Sequence, residues 1–169
     1  RGLPNFRNTA EALAAFKNKK ARDLFAKYQV LSPRESAARF EVLVENYVTV
    51  VEIESRTLVQ IVRTLVLPAV LRTQEELATT VSATMAADVD CAEAQDELRH
   101  YVVMVNELRS AVKELETLAT KHHKDEEVAM RFLRDNVIPS MTRVRTASDA
   151  LERITPADNW PMPTYAEML

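Results

Sequence analysis

Asp96-Glu97-Leu98-Arg99-His100-Tyr101-Val102-Val103-Met104-Val105-Asn106-Glu107-Leu108-Arg109-Ser110-Ala111-Val112-Lys113-Glu114-Leu115-Glu116-Thr117-Leu118-Ala119 is the stretch whose reading decides the fold. Leu98, Tyr101, Val105, Leu108, Val112, Leu115 and Ala119 alternate spacings of three and four without a miss. That period lays apolar side chains along one face of an α-helix packed almost parallel to a neighbour. Asp88 and Asp90 offer caps before it, and the polar link Lys121 to Asp125 after it reverses the chain into an antiparallel hairpin. The second arm is expected over about Glu126 to Ile154, with Val128, Phe132, Val137, Met141, Val144, Ala147, Leu151 and Ile154 inward and Pro139 inside it.

Upstream, Ser32-Pro33-Arg34-Glu35 is a helix start: Ser32 can cap the amide of Glu35, Glu35 can return the bond, and Pro33 suits the first helical position. From Ala37 to about Met85 nothing resembles a turn, and Phe40, Leu43, Val44, Tyr47, Val50, Val51, Leu58, Ile61 and Leu65 keep helical register. Val42, Val48, Val59, Val62 and Val66 widen the apolar surface, so this helix is expected to meet partners on more than one side. Pro68 predicts a bend rather than a stop, because its ring clashes with the carbonyl of Thr64.

Residues 1–31 read as short N-terminal docking helices, with Leu13, Phe16, Leu24, Phe25 and Tyr28 as the apolar positions. Residues 32–154 read as a long-helix bundle, about 33–86, 89–121 and 126–154. Residues 155–169, with Pro156, Pro161 and Pro163, read as an extended tail leaving it. The expectation is an all-α fold, an elongated antiparallel helical bundle of long, proline-kinked helices with an extended C-terminal tail, forming one domain. One glycine in 169 residues agrees, since sheets lean on glycine for their turns, and 47% hydrophobic with 28% charged residues suits amphipathic helices.

Several function classes are disfavoured. A net charge of −3 gives no pull toward phosphate backbones, and the basic run Lys17, Lys19, Lys20 and Arg22 spreads around a helix as a solvated face. The apolar stretch Leu58 to Leu71 is interrupted by Gln60, Arg63 and Pro68 and is too short to span a bilayer. Cys91 is the single cysteine, which excludes an internal disulfide and suits a buried thiol in a reducing, intracellular setting. Arg1 stands without an initiator methionine, so the chain reads as a fragment of a larger protein.

Glu97 and His100 have the i, i+3 spacing of a metal ligand pair, but Leu98 and Tyr101 hold the seam, which puts Glu97 on its flank and turns His100 away. His122 and His123, beside Asp125, Glu126 and Glu127, read as helix-end residues interacting with the dipoles. No nucleophile elbow or glycine-rich phosphate loop appears, so no catalytic, cofactor-binding or metal residue is assigned. Excess apolar surface and the aromatic, proline-rich tail suit docking, with Tyr47, Pro68, Pro139, Trp160 and Tyr165 as candidate interface residues. Arg39, Glu41, Glu45, Glu52, Glu54 and Arg56 are available for ion pairs across the bundle or an interface.

Lys20-Ala21, Leu24-Phe25, Arg39-Phe40-Glu41, Glu45-Asn46-Tyr47, Ile53-Glu54 and Val66-Leu67-Pro68-Ala69-Val70 follow one another in an order that continues near the end. There stand Val137-Ile138-Pro139-Ser140-Met141, Arg145, Asp149, Leu151-Glu152 and Asn159-Trp160-Pro161-Met162-Pro163-Thr164-Tyr165. In this ordered set the chain resembles the C-terminal helical region of type III glutamine synthetase. The resemblance implies a parent that ligates ammonia to glutamate with ATP hydrolysis and Mg or Mn, as a cytoplasmic homo-oligomeric ring assembly. Its ATP, metal and glutamate ligands belong to a β-rich region preceding these helices, so no cofactor is expected in this chain. The implied partners are the remainder of the enzyme and neighbouring subunits, with no nucleic acid and no membrane. The competing readings are a free-standing helical-bundle scaffold or adaptor without enzymatic activity, and a metal-binding bundle enzyme.

Overall fold

The computed structural model describes residues 5–163, and among them every regular element is helical. They run α1 (Thr9–Phe16), α2 (Lys19–Lys27), α3 (Pro33–Ile61), a π turn (Val62–Val66), α4 (Leu67–Ala86), α5 (Ala92–Ala119), α6 (Glu126–Phe132), a second π turn (Leu133–Val137) and α7 (Ile138–Glu152).

Local chemistry explains the starts and stops. Asn8 accepts from the Glu11 amide at 2.9 Å and Asn18 from the Lys20 amide at 3.0 Å, which begins the two short helices. At α3 the reciprocal box forms as its sequence predicts: the Ser32 amide donates to Glu35 Oε2 at 2.7 Å and the Glu35 amide to Ser32 Oγ at 3.2 Å. Helix ends in this glycine-poor chain use other residues in the left-handed region. Gln29 at φ 54° lets the Val30 amide reach the Phe25 carbonyl at 3.0 Å, and Asp88 at φ 56° lets the Val89 amide reach that of Thr84 at 3.3 Å. Because Asp88 closes α4 in this way and Asp90 Oδ1 takes the Ala92 amide at 3.2 Å, α5 starts at Ala92, not residue 89.

Both internal prolines follow a π turn. The Leu67 amide bonds back to the Val62 carbonyl and the Ile138 amide to that of Leu133, five residues each. The widened turn precedes the ring, and Pro68 and Pro139 then stand second in the next helical segment, where a missing N–H costs least. No residue between Pro33 and Ala86 leaves the helix, so Pro68 is no stop.

Two compact units make up the chain, residues 5–54 with 121–138 and residues 55–120 with 139–163. In the first, the buried seam of α3 is Ser36, Phe40, Val44, Val48 and Val51. Phe40 and Val44 share a groove with Asp125 to Glu127, and Tyr47 feels Arg134 and Asp135, so α3 and the α6 segment run parallel. Ala10 and Leu13 of α1 are buried, whereas α2 buries nothing.

In the second unit α5 is central: Val105, Leu108, Ala111, Val112 and Leu115 are fully enclosed. Arg63 reaches Glu116 in a two-pronged pair at 2.7 and 2.6 Å, while Gln95 Nε2 lies 3.5 Å from Met85 Sδ, which makes α4 antiparallel to α5. Arg143 bonds Glu107 at 2.9 Å and also Glu114, and Tyr101 meets Thr155, so α7 is antiparallel to α5 as well.

Two inward assignments on the second arm are corrected, since Val128 and Ile154 are exposed, and Leu43, Val50 and Leu65 of the upstream register are exposed as well. The second arm buries Met130, Leu133, Val137, Ser140, Val144 and Leu151, spaced three, four, three, four and seven, a register that puts a serine in the core and leaves Val128 out of it. Helix α7 ends at Glu152, so Ile154 falls out of register and Thr155 takes the core position.

Candidate interaction surfaces

The first unit carries two uncommitted surfaces. On α3, Val42, Leu43, Val50 and Ile53 are 63%, 43%, 42% and 57% exposed. At 100° per residue they share one side of the helix, opposite Phe40, Val44, Val48 and Val51. The second surface is a groove of about 350 Å³ lined by Phe40, Glu41, Val44, Glu45, Asp125, Glu126 and Glu127. Lys17 enters its edge, with Nζ 5.2 Å from the Phe40 ring centre and an ion pair to Glu127.

Tyr47, also on α3, is half-buried; its hydroxyl is enclosed with no hydrogen-bond partner among the described residues, and burial pushes the phenol up from its ordinary value. Nearby, the Arg134 guanidinium hydrogen-bonds Asp135 and holds that carboxyl below its usual range. His123 stacks at a tilt on Phe132, ring centres 4.7 Å apart, and His122 is exposed.

In the second unit the described part of the tail does not run on extended, which corrects that expectation. Pro156 starts a turn in which the Asn159 and Trp160 amides donate to its carbonyl at 2.9 and 3.1 Å. Asn159 Nδ2 then donates to Thr73 Oγ1 at 3.1 Å and Glu76 Oε2 at 2.7 Å on α4, and Trp160 is 7% exposed. Thr155 spends its one hydroxyl proton on the Leu151 carbonyl at 2.8 Å, so Tyr101 is the donor in their 2.9 Å contact. The prolines fix φ for a turn as readily as for an extended run, and burial of the indole decides between them. Only the Pro156 to Asn159 spacing hinted at this clasp.

Of the candidate interface residues, Trp160 is therefore enclosed within the second unit, Pro68 and Pro139 are exposed, and Tyr165 lies outside the described residues. Glu97 and His100 are both exposed, and among the described residues no group of three or more His, Cys, Asp or Glu side chains is placed to hold a metal ion. Among the same residues no helix is long and apolar enough to cross a membrane. The cross-helix pairs Arg63–Glu116 and Arg143 with Glu107 and Glu114 were not foreseen, because i, i+4 spacing says nothing of partners 53, 36 and 29 residues away. Arg63 holds the Glu116 carboxyl below its ordinary range through that hydrogen bond.

This all-helical chain has close likenesses among known proteins. A family model described as the glutamine synthetase C-terminal domain matches residues 1–85. The type-3 glutamine synthetase of Dictyostelium discoideum is 36% identical over 177 residues, covering 100% of this chain and 24% of that protein. A glutamine synthetase of Bacteroides fragilis is 26% identical over 178 residues, and one of Butyrivibrio fibrisolvens 24% over 173; each alignment covers 100% of this chain and, respectively, 24% and 25% of the relative. The chain thus spans about a quarter of the length of these relatives. With half of its residues matched by that model, the chain belongs to the glutamine synthetase C-terminal domain family.

Proposed function

We propose that these helices are a non-catalytic support region of a type III glutamine synthetase, packing against the remainder of the enzyme and against neighbouring subunits in a cytoplasmic homo-oligomer. The parent's work, ligation of ammonia to glutamate with ATP hydrolysis, and its ATP and Mg or Mn sites belong in this reading to residues outside this chain. The observation that carries it is the α3 face of Val42, Leu43, Val50 and Ile53, an apolar strip turned away from the core of its own unit. Lone exposed leucines need no explanation, but four large aliphatic side chains on one side of a helix lose free energy to water unless something covers them.

The test is made on the parent enzyme and on the chain. Val42→Ser, Val50→Ser and Ile53→Ser together should lower the parent's assembled mass in light scattering while leaving the helicity of the isolated chain intact. The isolated chain should form no glutamine from glutamate, ammonia and ATP. Glutamine formation by residues 1–169 alone, or full assembly of a parent lacking them, would overturn the reading.

A further inference from the structure

The geometry points to a pairing of α3 with α3 of a second copy of this chain, the two helices antiparallel about a two-fold axis level with Val48. Leu43, Asn46, Val50 and Ile53 are spaced three, four and three, the period that packs one helix along another, and all four are exposed. Helix α3 thus carries two seams. Ser36, Phe40, Val44, Val48 and Val51 are buried in the first unit, and the seam of Leu43 to Ile53, widened by Val42, faces away from them.

The charges around this outer seam identify what fits it. At ~100° per residue, no charged residue between Phe40 and Ile53 falls in the arc from Val42 round to Leu43, since Glu41, Glu45 and Glu52 lie at least about 60° outside its edge. Arg39, one turn before Leu43, falls inside the arc, and Glu54 stands about 20° beyond it, next to Ile53. Both are exposed; Arg39 acts on Glu35 of its own helix, and Glu54 has no ion-pair partner among the described residues. The seam is therefore neutral along its middle, positive at its N-terminal end and negative at its C-terminal end. Such a pattern complements itself only when reversed. Antiparallel copies bring Arg39 of each toward Glu54 of the other, whereas parallel copies in register would set Arg39 on Arg39 and Glu54 on Glu54. With the axis level with Val48, Leu43 of one copy lies against Ile53 of the other and the Asn46 amide comes beside the Thr49 hydroxyl. Arg39 is then about three residues, ~4.5 Å along the helix, from Glu54, within the reach of its side chain. One patch meets itself, so the contact closes as a dimer and covers both apolar strips. All of these positions belong to the first unit. This pairing gives the neighbouring-subunit part of the proposed function a location and rests on that reading only for the presence of a second copy.

Sedimentation velocity of the chain tests the pairing and its polarity together, with circular dichroism to show that each variant keeps its helicity; all the altered positions are exposed. Arg39→Glu and Glu54→Arg, each alone, put like charges at both ends of the contact and should weaken self-association about three- to tenfold, since two exposed pairs turn from attractive to repulsive. Both substitutions in one chain restore opposite charges in the antiparallel arrangement and not in the parallel one, and should return the affinity to within about twofold. Val50→Ser with Ile53→Ser should weaken it at least about tenfold through lost apolar contact. A chain that stays monomeric at about 200 µM, single reversals without effect, or a double exchange no better than the single ones would each overturn the pairing. If the serine substitutions lower the assembled mass of the parent while Arg39→Glu and Glu54→Arg leave both it and the association of the chain unchanged, the support role stands and this contact falls.

Discussion

Replacing Trp160 by alanine and, separately, by phenylalanine measures what the tail clasp contributes. A tryptophan enclosed to 7% exposure removes roughly 150–250 Å² from water, worth about 4–6 kcal/mol as an upper bound at ~25 cal/mol per Å². Its indole N–H is buried without a partner among the described residues, which offsets about 1–3 kcal/mol. Trp160→Ala should therefore cost about 2–4 kcal/mol. Trp160→Phe keeps most of the apolar surface and removes the orphaned donor, so its cost should stay below about 1.5 kcal/mol. Urea unfolding followed by far-ultraviolet circular dichroism gives the global values, and hydrogen exchange gives the local ones. The Asn159 and Trp160 amides, bonded to Pro156, should exchange about 30- to 1000-fold faster in Trp160→Ala, the same free energy read as an opening equilibrium. The reasoning fails if Trp160→Ala changes both measurements by less than about 0.5 kcal/mol, or if Trp160→Phe costs as much as alanine.

Two further outcomes follow from charges and backbone. Glu35, Glu116 and Asp135 are held below their ordinary values by hydrogen bonds from Ser32, Arg63 and Arg134 respectively. Their folded-state values lie below the unfolded ones, so their contribution is complete above about pH 4.5 and is lost as pH falls through the folded values; urea midpoints that stay flat from pH 5 to 3 would contradict this. Gln29→Gly relieves a non-glycine residue at φ 54° and should raise stability by up to about 1 kcal/mol, the left-handed penalty less glycine's extra unfolded-state entropy; a lowered thermal midpoint would sink that argument.

Much of the helical layout was legible without coordinates. The Ser32 to Glu35 box, the link before Glu126 and the seam of α5 depend on neighbours within a turn or two, and all stand where the sequence put them. The outward placement of Glu97 and His100 was legible for the same reason, since Leu98 and Tyr101 fix the register around them. The tail was less legible, because Trp160 was expected in an extended run and is enclosed within its own unit.

By itself, then, the sequence determined that this protein is helical, that helices start at Pro33 and Glu126, and that α5 has one buried face. Periodicity, capping and a near absence of glycine act locally, so they need no knowledge of the rest of the chain. Only the tertiary structure decided which face of α3 is buried, since Val42 and Val44 are equally apolar and only residues near 125–135, far along the chain, settle that Val44 goes inward. It likewise decided that Ser140 and Thr155 hold core positions and that Asn159 reaches Thr73 and Glu76. Burial is a property of partners, and hydrophobicity read residue by residue ranks candidates for it without saying which partner arrives.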